Sequence, residues 1–457
     1  MNQGGFGPFN IIILLCSIMM WSNVNTILLS PAILPNLLKC DLHLDSIQKA
    51  VVTSMLYIGY FFGNIVFGRL SDFYGRKRCI ICATAGVSFV SLLFSFAPNY
   101  TWVLVFEFLS GFLTSGMVLC SSLCIEYMPV NKRSYTLLIA IGVPLSSGLY
   151  SLVTWLFLND KDNWRMTLRF AHSLALGLSV PIYYFFVPES PRYLLATGKS
   201  LKALQIFKKL WSRNNVHPLI GRLQSCRERN ASKEDNKQIL WKLYVKSTIL
   251  VLFLWFVNGL MYYGSMFLVT NISGSCLVNS SSSVANSTCH PISSSELSNL
   301  FITALGDLPG VLISIPIIDK FGRRKTLVAL SLIMAVSFTP LFFCEIVSYS
   351  WLTIGVIRGT ANVLDAVLEV YAPELYPTTF RTTAVSIVKS GERFGVILSP
   401  YISQVLIKSN HYLSLAIYVS LAVVGSICSL VLPVETTGAE MCDVVTVQDF
   451  EKDIDDA

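Results

Sequence analysis

The sequence predicts an all-α membrane protein of twelve transmembrane helices, arranged as two pseudo-symmetric six-helix bundles. Three observations carry that prediction. Hydrophobic residues fill 53% of the 457 positions and charged residues only 13%, where a soluble domain carries about 25% charged. The apolar residues gather in blocks long enough to cross a bilayer, which takes roughly 20 residues as a helix. The charged segments between the blocks carry motifs that recur in the second half of the chain. In lipid the backbone of such a block must bond to itself, so each is a helix. The alternating ten-residue pattern of a membrane β-barrel is absent.

In order, the blocks run at roughly 10–34, 50–70, 79–97, 101–122, 134–157, 170–187, 243–265, 296–318, 326–346, 350–372, 383–407 and 412–433. The first lacks a basic leading region, is long for a signal peptide and is followed by eleven more, so it reads as a span. The nine uncharged residues before it are few for an anchor and leave room for an upstream segment. The chain divides into an N-terminal bundle (1–187), an inter-bundle segment (188–242), a C-terminal bundle (243–434) and a tail (435–457). The inter-bundle segment holds twelve Lys or Arg against four acids, and stretches such as Leu201 to Trp211 predict short helices lying on an anionic leaflet. The tail carries eight acids against Lys452 and reads as disordered.

Basic residues assign the sides of the membrane. Arg69, Arg76, Lys77 and Arg78 follow the second block, Lys132 and Arg133 the fourth, and the segment 188–242 the sixth. Lys320, Arg323, Arg324 and Lys325 follow the eighth, and Arg381 the tenth. All fall on one side if both termini are cytoplasmic. Segment 266–295, on the other side, has no Lys or Arg and carries glycosylation sequons at Asn271, Asn279 and Asn286. Cys276 and Cys289 share that loop, either as a disulfide or as two free thiols.

The repeat is carried by two motifs. Asp72-Phe-Tyr-Gly75-Arg76-Lys77-Arg78 is matched by Asp319-Lys-Phe-Gly322-Arg323-Arg324-Lys325 at an offset of 247. Glu126-x-x-Pro129-x-x-x-Arg133 is matched by Glu374-x-x-Pro377-x-x-x-Arg381 at an offset of 248. A lone basic loop only orients a protein, but a matched pair of motifs points to a conformational latch. The glycine permits a turn at positive φ, the aspartate can cap a helix and pair with arginine, and the arginines offer planar forks to carboxylates. Such pairs suit a carrier whose halves rock about a central site.

These residues carry a family resemblance. Gly68-Arg-Leu-Ser-Asp72-Phe-Tyr-Gly75-Arg76-Lys77 resembles the signature loop of the major facilitator superfamily. Pro188-Glu-Ser-Pro-Arg192 and Pro433-Val-Glu435-Thr436 resemble the ends of spans six and twelve in sugar porters, organic-ion transporters and synaptic-vesicle-two-related transporters. Asn258-Gly-Leu-Met-Tyr262-Tyr263-Gly264, Asp307-Leu-Pro309-Gly310 and Tyr371-Ala-Pro373-Glu374 point to the synaptic-vesicle-two-related branch. The paired glutamines of a sugar porter's seventh span are missing. The resemblance implies the major facilitator fold, a central cavity lined in part by span ten, and transport of small organic solutes. Two departures stand out: the acids this branch usually carries after a tryptophan in span one are absent from Trp21-Ser-Asn23-Val24-Asn25, and its usual span-four arginine is here Glu107.

Ionisable residues inside a span cost about 2.5–3.5 kcal/mol each on insertion scales, so they face a cavity or one another. The chain places Glu107 in span four, Asp307 in span eight, Arg358, Asp365 and Glu369 in span ten, and Lys389, Glu392 and Arg393 in span eleven. Asp365 and Glu369 are four apart and share a helix face; they form either a cation or proton site or part of a structural ion-pair set with Lys389 and Arg393. Asn258, Tyr262, Tyr263, Trp21 and Asn25 are candidate cavity residues. Pro144, Pro309, Pro340 and Pro400 each remove a backbone bond from a span.

No Walker loop, metal-ligand spacing or nucleophile motif is present, and the five histidines are scattered at 43, 172, 217, 290 and 411. The expectation is a non-enzyme with no cofactor or metal, acting as a monomer in a plasma or secretory/endosomal vesicle membrane. Its expected partners are the bilayer, a small organic solute and a coupling proton or cation; the basic residues, confined to short segments, give no nucleic-acid signal. The five intramembrane acids outnumber the three bases, which leans the solute toward an organic cation. The alternative is a carrier-like receptor or trafficking scaffold that has lost transport.

Overall fold

The computed structural model describes residues 6–158, 163–215, 235–269, 294–310, 312–313, 321–343, 350–376, 381–432 and 435. Among these the protein is all helical, without strands. The first half contains α1 (Pro8–Leu42), α2 (Ser46–Tyr74), α3 (Arg76–Phe94), α4 (Tyr100–Met117), α5 (Leu119–Tyr127), α6 (Gly142–Leu156) and α7 (Ala175–Phe186). Two short helices follow, α8 (Pro191–Ala196) and α9 (Ser200–Arg213). The second half contains α10 (Asp235–Val269), α11 (Ser294–Leu305), α12 (Arg323–Phe338), α13 (Ser350–Leu375), α14 (Arg381–Pro400) and α15 (His411–Leu430).

Among the described residues, nine helical stretches are long and apolar enough to cross a membrane. The other three expected spans differ for separate reasons. The sixth is broken by a π-helical stretch at Leu168–Leu174 before α7. The eighth is described only in part, as α11 and the helical residues 307–310. The eleventh, α14, carries Arg381, Lys389, Glu392 and Arg393, more charge than an apolar span tolerates.

Local chemistry sets the helix ends. Asp45 and Gln48 form a reciprocal capping box at the start of α2, where the Asp45 N–H donates to Gln48 Oε1 at 2.9 Å. Asn99 Oδ1 accepts from the Trp102 N–H at 3.2 Å, and Asn410 Oδ1 from the Leu413 N–H at 3.0 Å, which starts α4 and α15. Gly75 (φ 95°) and Gly322 (φ 83°) make the turns before α3 and α12, in a region that penalises any residue with a Cβ.

Helix α1 runs to Leu42, beyond the expected end near residue 34, although it contains Pro31 and Pro35. Proline at 31 leaves the Ile27 carbonyl without its helical donor, and the Ser30 hydroxyl supplies one at 2.7 Å. The turns that follow bury Ala32, Ile33, Leu34, Leu37 and Leu38, so packing offsets what remains of the proline penalty. Helix α10 starts at Asp235, inside the segment expected to join the bundles.

The repeat extends to the packing. Gly59 on α2 lies against the Phe108 carbonyl of α4, and Gly306, 247 residues later, lies against the Gly355 carbonyl of α13. A Cβ at either glycine would strike that backbone. Close backbone approach of this kind is how helices pack in a bilayer, where burial of apolar surface gives little drive. Between the halves, the hydrogen bonds and ring contacts among the described residues lie at mid-membrane and toward the end away from Gly75 and Gly322. Lys408 Nζ donates to Ser46 Oγ (3.1 Å), Ser54 Oγ to the Ile397 carbonyl (3.0 Å), and Tyr57 meets Tyr263 edge-on at 5.3 Å.

Candidate functional site

The glycine-mediated approach of span eight to α13 brings Asp307 and Arg358 together. Arg358 Nη2 donates to Asp307 Oδ2 at 2.8 Å, and the two side chains are 1% and 0% exposed. Tyr262 of α10 joins them: its hydroxyl donates to Asp307 Oδ2 at 3.3 Å, and its ring lies 5.4 Å from the guanidinium. A small cavity of about 10 Å³ borders this triad, walled by Tyr263, Arg358 and Tyr262 from one half and by Asn25 and Ser147 from the other. Trp21 does not reach it and packs on the core from a half-buried position on α1.

The remaining charges of α13 and α14 sort into pairs. Lys389 binds Glu369, and its ammonium lies 5.4 Å from the Trp255 ring. Arg393 binds its neighbour Glu392 at 3.1 Å and stacks over Tyr60 of the opposite half at 4.4 Å. Asp365 is left with an amide: Asn258 Nδ2 donates to its Oδ1 at 3.2 Å. Asp365 and Glu369 share a helix face but not a partner, because Lys389 reaches only the lower turn. In the other half Glu107 is 1% exposed, and its Oε1 has no hydrogen-bond partner among the described residues.

The repeated motifs come together at one end of each half. Arg76 pairs with Glu126, which also accepts from the Ser190 hydroxyl. Arg323 pairs with Glu374 in a two-point contact, Nε to Oε2 and Nη2 to Oε1, both 3.2 Å. Each pair lies within its own half. The helix starts after the glycine turns are capped by acids that the motif reading left out. Glu189 Oε1 accepts from the Lys77 N–H at 3.0 Å, and the Glu435 carboxylate accepts from the Arg323 and Arg324 N–H groups at 2.8 and 3.1 Å.

Asp72 is exposed on the last turn of α2, without an ion pair among the described residues, and it is Glu189 that accepts from the Lys77 N–H at the start of α3. Gly68 is also exposed, with nothing near where a Cβ would sit. The residues Asp319, Asn271, Asn279, Asn286, Cys276 and Cys289, and the side chains of Arg133 and Arg381, lie outside what the structure describes. The signal for the missed acids was present: Glu189 and Glu435 are 246 residues apart, almost the offset of the other two motifs.

The family model for "Sugar (and other) transporter" matches residues 10–446. The chain belongs to that family. It is a multi-pass membrane transporter of the major facilitator type, and its helices superpose on those of the xylose transporter XylE from E. coli in a partially occluded inward-open form. That match has a TM-score of 0.70 at 16% identity, over 94% of this chain and 99% of the other. Relatives by sequence are a synaptic vesicle 2-related protein of Rattus norvegicus (28% identical, 95% of this chain, 80% of the relative) and the putative transporter svop-1 of Caenorhabditis elegans (28%, 96% and 85%). The organic cation/carnitine transporter 7 of Arabidopsis thaliana is 26% identical over 97% of this transporter and 95% of its own length.

Proposed function

We propose that this transporter carries a small organic cation by alternating access, with Asp365 as the binding acid. The observation that supports this reading is the pairing of the intramembrane charges. Arg358, Lys389 and Arg393 are taken by Asp307, Glu369 and Glu392. Asp365 and Glu107 are then the two acids of the set with no ion pair among the described residues; Lys389 and Arg393, the bases near Asp365, are bound to Glu369 and Glu392. A carboxylate inside a span needs a counter-charge, and a protonated amine or quaternary ammonium at Asp365 supplies one. Trp255, Tyr60 and Tyr262, whose rings already face cations, are the kind of surface on which organic cations bind. The name of the Arabidopsis relative points to the same solute class.

Glu107 is the proposed coupling position. It stands where the resembling branch carries an arginine, in a half whose first span has lost its acids. A buried carboxyl without counter-charge takes up either a proton or a small cation. The halves touch away from the latch motifs, so the contacts at Tyr57–Tyr263 and Ser46–Lys408 are the ones that must open for the alternate state.

The test is uptake of tetraethylammonium by the purified protein in liposomes. Losing one charge-assisted contact costs about 1.5–3 kcal/mol, so Asp365→Asn lowers uptake about tenfold or more, and external acid competes with the solute. Preferred uptake of an anion, lost on Arg393→Gln and untouched by Asp365→Asn, overturns the assignment.

A further inference from the structure

A second cavity, of about 480 Å³, lies far from the central charges, between the start of α3, the end of α7 and the cytoplasm-facing helices α8 and α9. Its wall carries Lys77, Arg78, Lys199, Lys202 and Lys209 against a single acid, Glu189. That acid is engaged by backbone: its Oε1 accepts from the Lys77 and Ser190 N–H groups, each at 3.0 Å. The Lys77 ammonium donates to the Tyr184 carbonyl at 2.7 Å. Arg78, Lys199, Lys202 and Lys209 have no acidic partner among the described residues. Five bases and one acid leave four positive charges around one concavity, more than orientation in a membrane requires.

We propose that this cavity is a binding site for the headgroup of an inositol lipid carrying phosphomonoesters. The charge count selects the headgroup. A phosphomonoester carries about −1.5 to −2 at neutral pH, so two of them with the phosphodiester match the surplus, whereas phosphatidylserine, with one net negative charge, does not. The surroundings select a lipid over a soluble phosphate. Tyr184 lines the cavity, and the next residue on α7, Phe185, is 74% exposed. On α9, Leu201 is 77% exposed beside Lys202. Outward-facing apolar side chains that border a basic hollow, at the end of a span, place the hollow at the membrane interface, where acyl chains can run down α7. The charge bias of the sequence puts this end on the cytoplasmic, anionic leaflet. The site is independent of the solute proposed above, because none of its residues belongs to the central charge set.

The experiment measures retention of a fluorescent phosphatidylinositol 4,5-bisphosphate by the purified full-length protein in phosphatidylcholine nanodiscs. Each lysine near such a headgroup contributes roughly a factor of five, so Lys199→Gln/Lys202→Gln/Lys209→Gln weakens retention about a hundredfold. The corresponding triple arginine variant restores it, and an unchanged thermal melt shows that the glutamine variant is folded. Equal retention by the glutamine variant overturns the site. Equal retention of phosphatidylserine overturns it in favour of diffuse attraction, and equally tight binding of soluble inositol trisphosphate overturns the lipid assignment.

Discussion

Asp307 and Arg358 illustrate how a charged pair is held in an apolar protein. Neither side chain is accessible to solvent, and the bond between them depends on two helices brought close at Gly306 and Gly355. Removing one member leaves the other without compensation, at a cost of about 3–5 kcal/mol. Asp307→Asn and Arg358→Gln are therefore expected to lower the melting temperature in detergent sharply. The double variant Asp307→Leu/Arg358→Met is expected to recover most of the loss, since an apolar pair of similar size is often neutral. That Glu107, Arg358, Asp365 and Glu369 lie on helices long and apolar enough to cross a membrane is readable from hydropathy. Their partners are not, because Asp307 and Arg358 are 51 residues apart and the spacing of acids on one helix says nothing about which base arrives from another. Asp365 and Glu369 lie one turn apart on α13, and the ammonium of Lys389 pairs with Glu369.

The turns and helix starts of the two latch ends are the most repetitive part of the chain. Each combines a positive-φ glycine, an arginine held by the glutamate of the second motif, and a distant acid accepting from the first N–H groups of a helix. A negative charge at that position is worth about 0.3–1 kcal/mol, whereas the ion pairs, in which Glu126 is 6% and Glu374 13% exposed, cost more to break than the ~0–1 kcal/mol of a surface pair. Glu126→Gln and Glu374→Gln should thus lower the melting temperature measurably, and slow solute exchange by the folded protein several-fold beyond that loss. A proportionate loss of both would make these pairs structural supports only. The arginines and glutamates of the repeated motifs are legible because they recur at offsets of 247 and 248. Glu189 and Glu435 escaped because each lies just beyond a proline that closes a bundle, where a boundary residue reads as linker or tail. Helix α1 also outruns its hydropathy block, which ends near residue 34: the Ser30 hydroxyl on the Ile27 carbonyl and the burial of Leu34, Leu37 and Leu38 carry it past Pro31 and Pro35.

Duplication accounts for the architecture. Offsets of 246 to 248 relate the acids at the repeated motifs, the glycine turns and the close helix crossings of the two halves, so one packing solution is used twice. Hydropathy blocks made the membrane fold legible. How the halves meet was not, because those contacts are made by ordinary residues such as Ser46, Ser54, Tyr57 and Tyr263 whose spacing has no signature. The charge bias predicts that the loop with Asn271, Asn279 and Asn286 is external, so a glycosidase is expected to increase the mobility of the full-length protein on a gel. No change in mobility, together with a shift once the sequons are moved into 188–242, would reverse the orientation. Transport of an organic cation bound at Asp365 is the function proposed for this fold. Its most direct test is uptake by the purified, folded protein in liposomes, offered organic cations, organic anions and sugars side by side. Saturable accumulation of a cation above protein-free liposomes, with little of the other two, is the expected result. Preferred uptake of a sugar or an anion, or no uptake of any class by protein that melts cooperatively, would contradict it, and the last result would favour a receptor or scaffold.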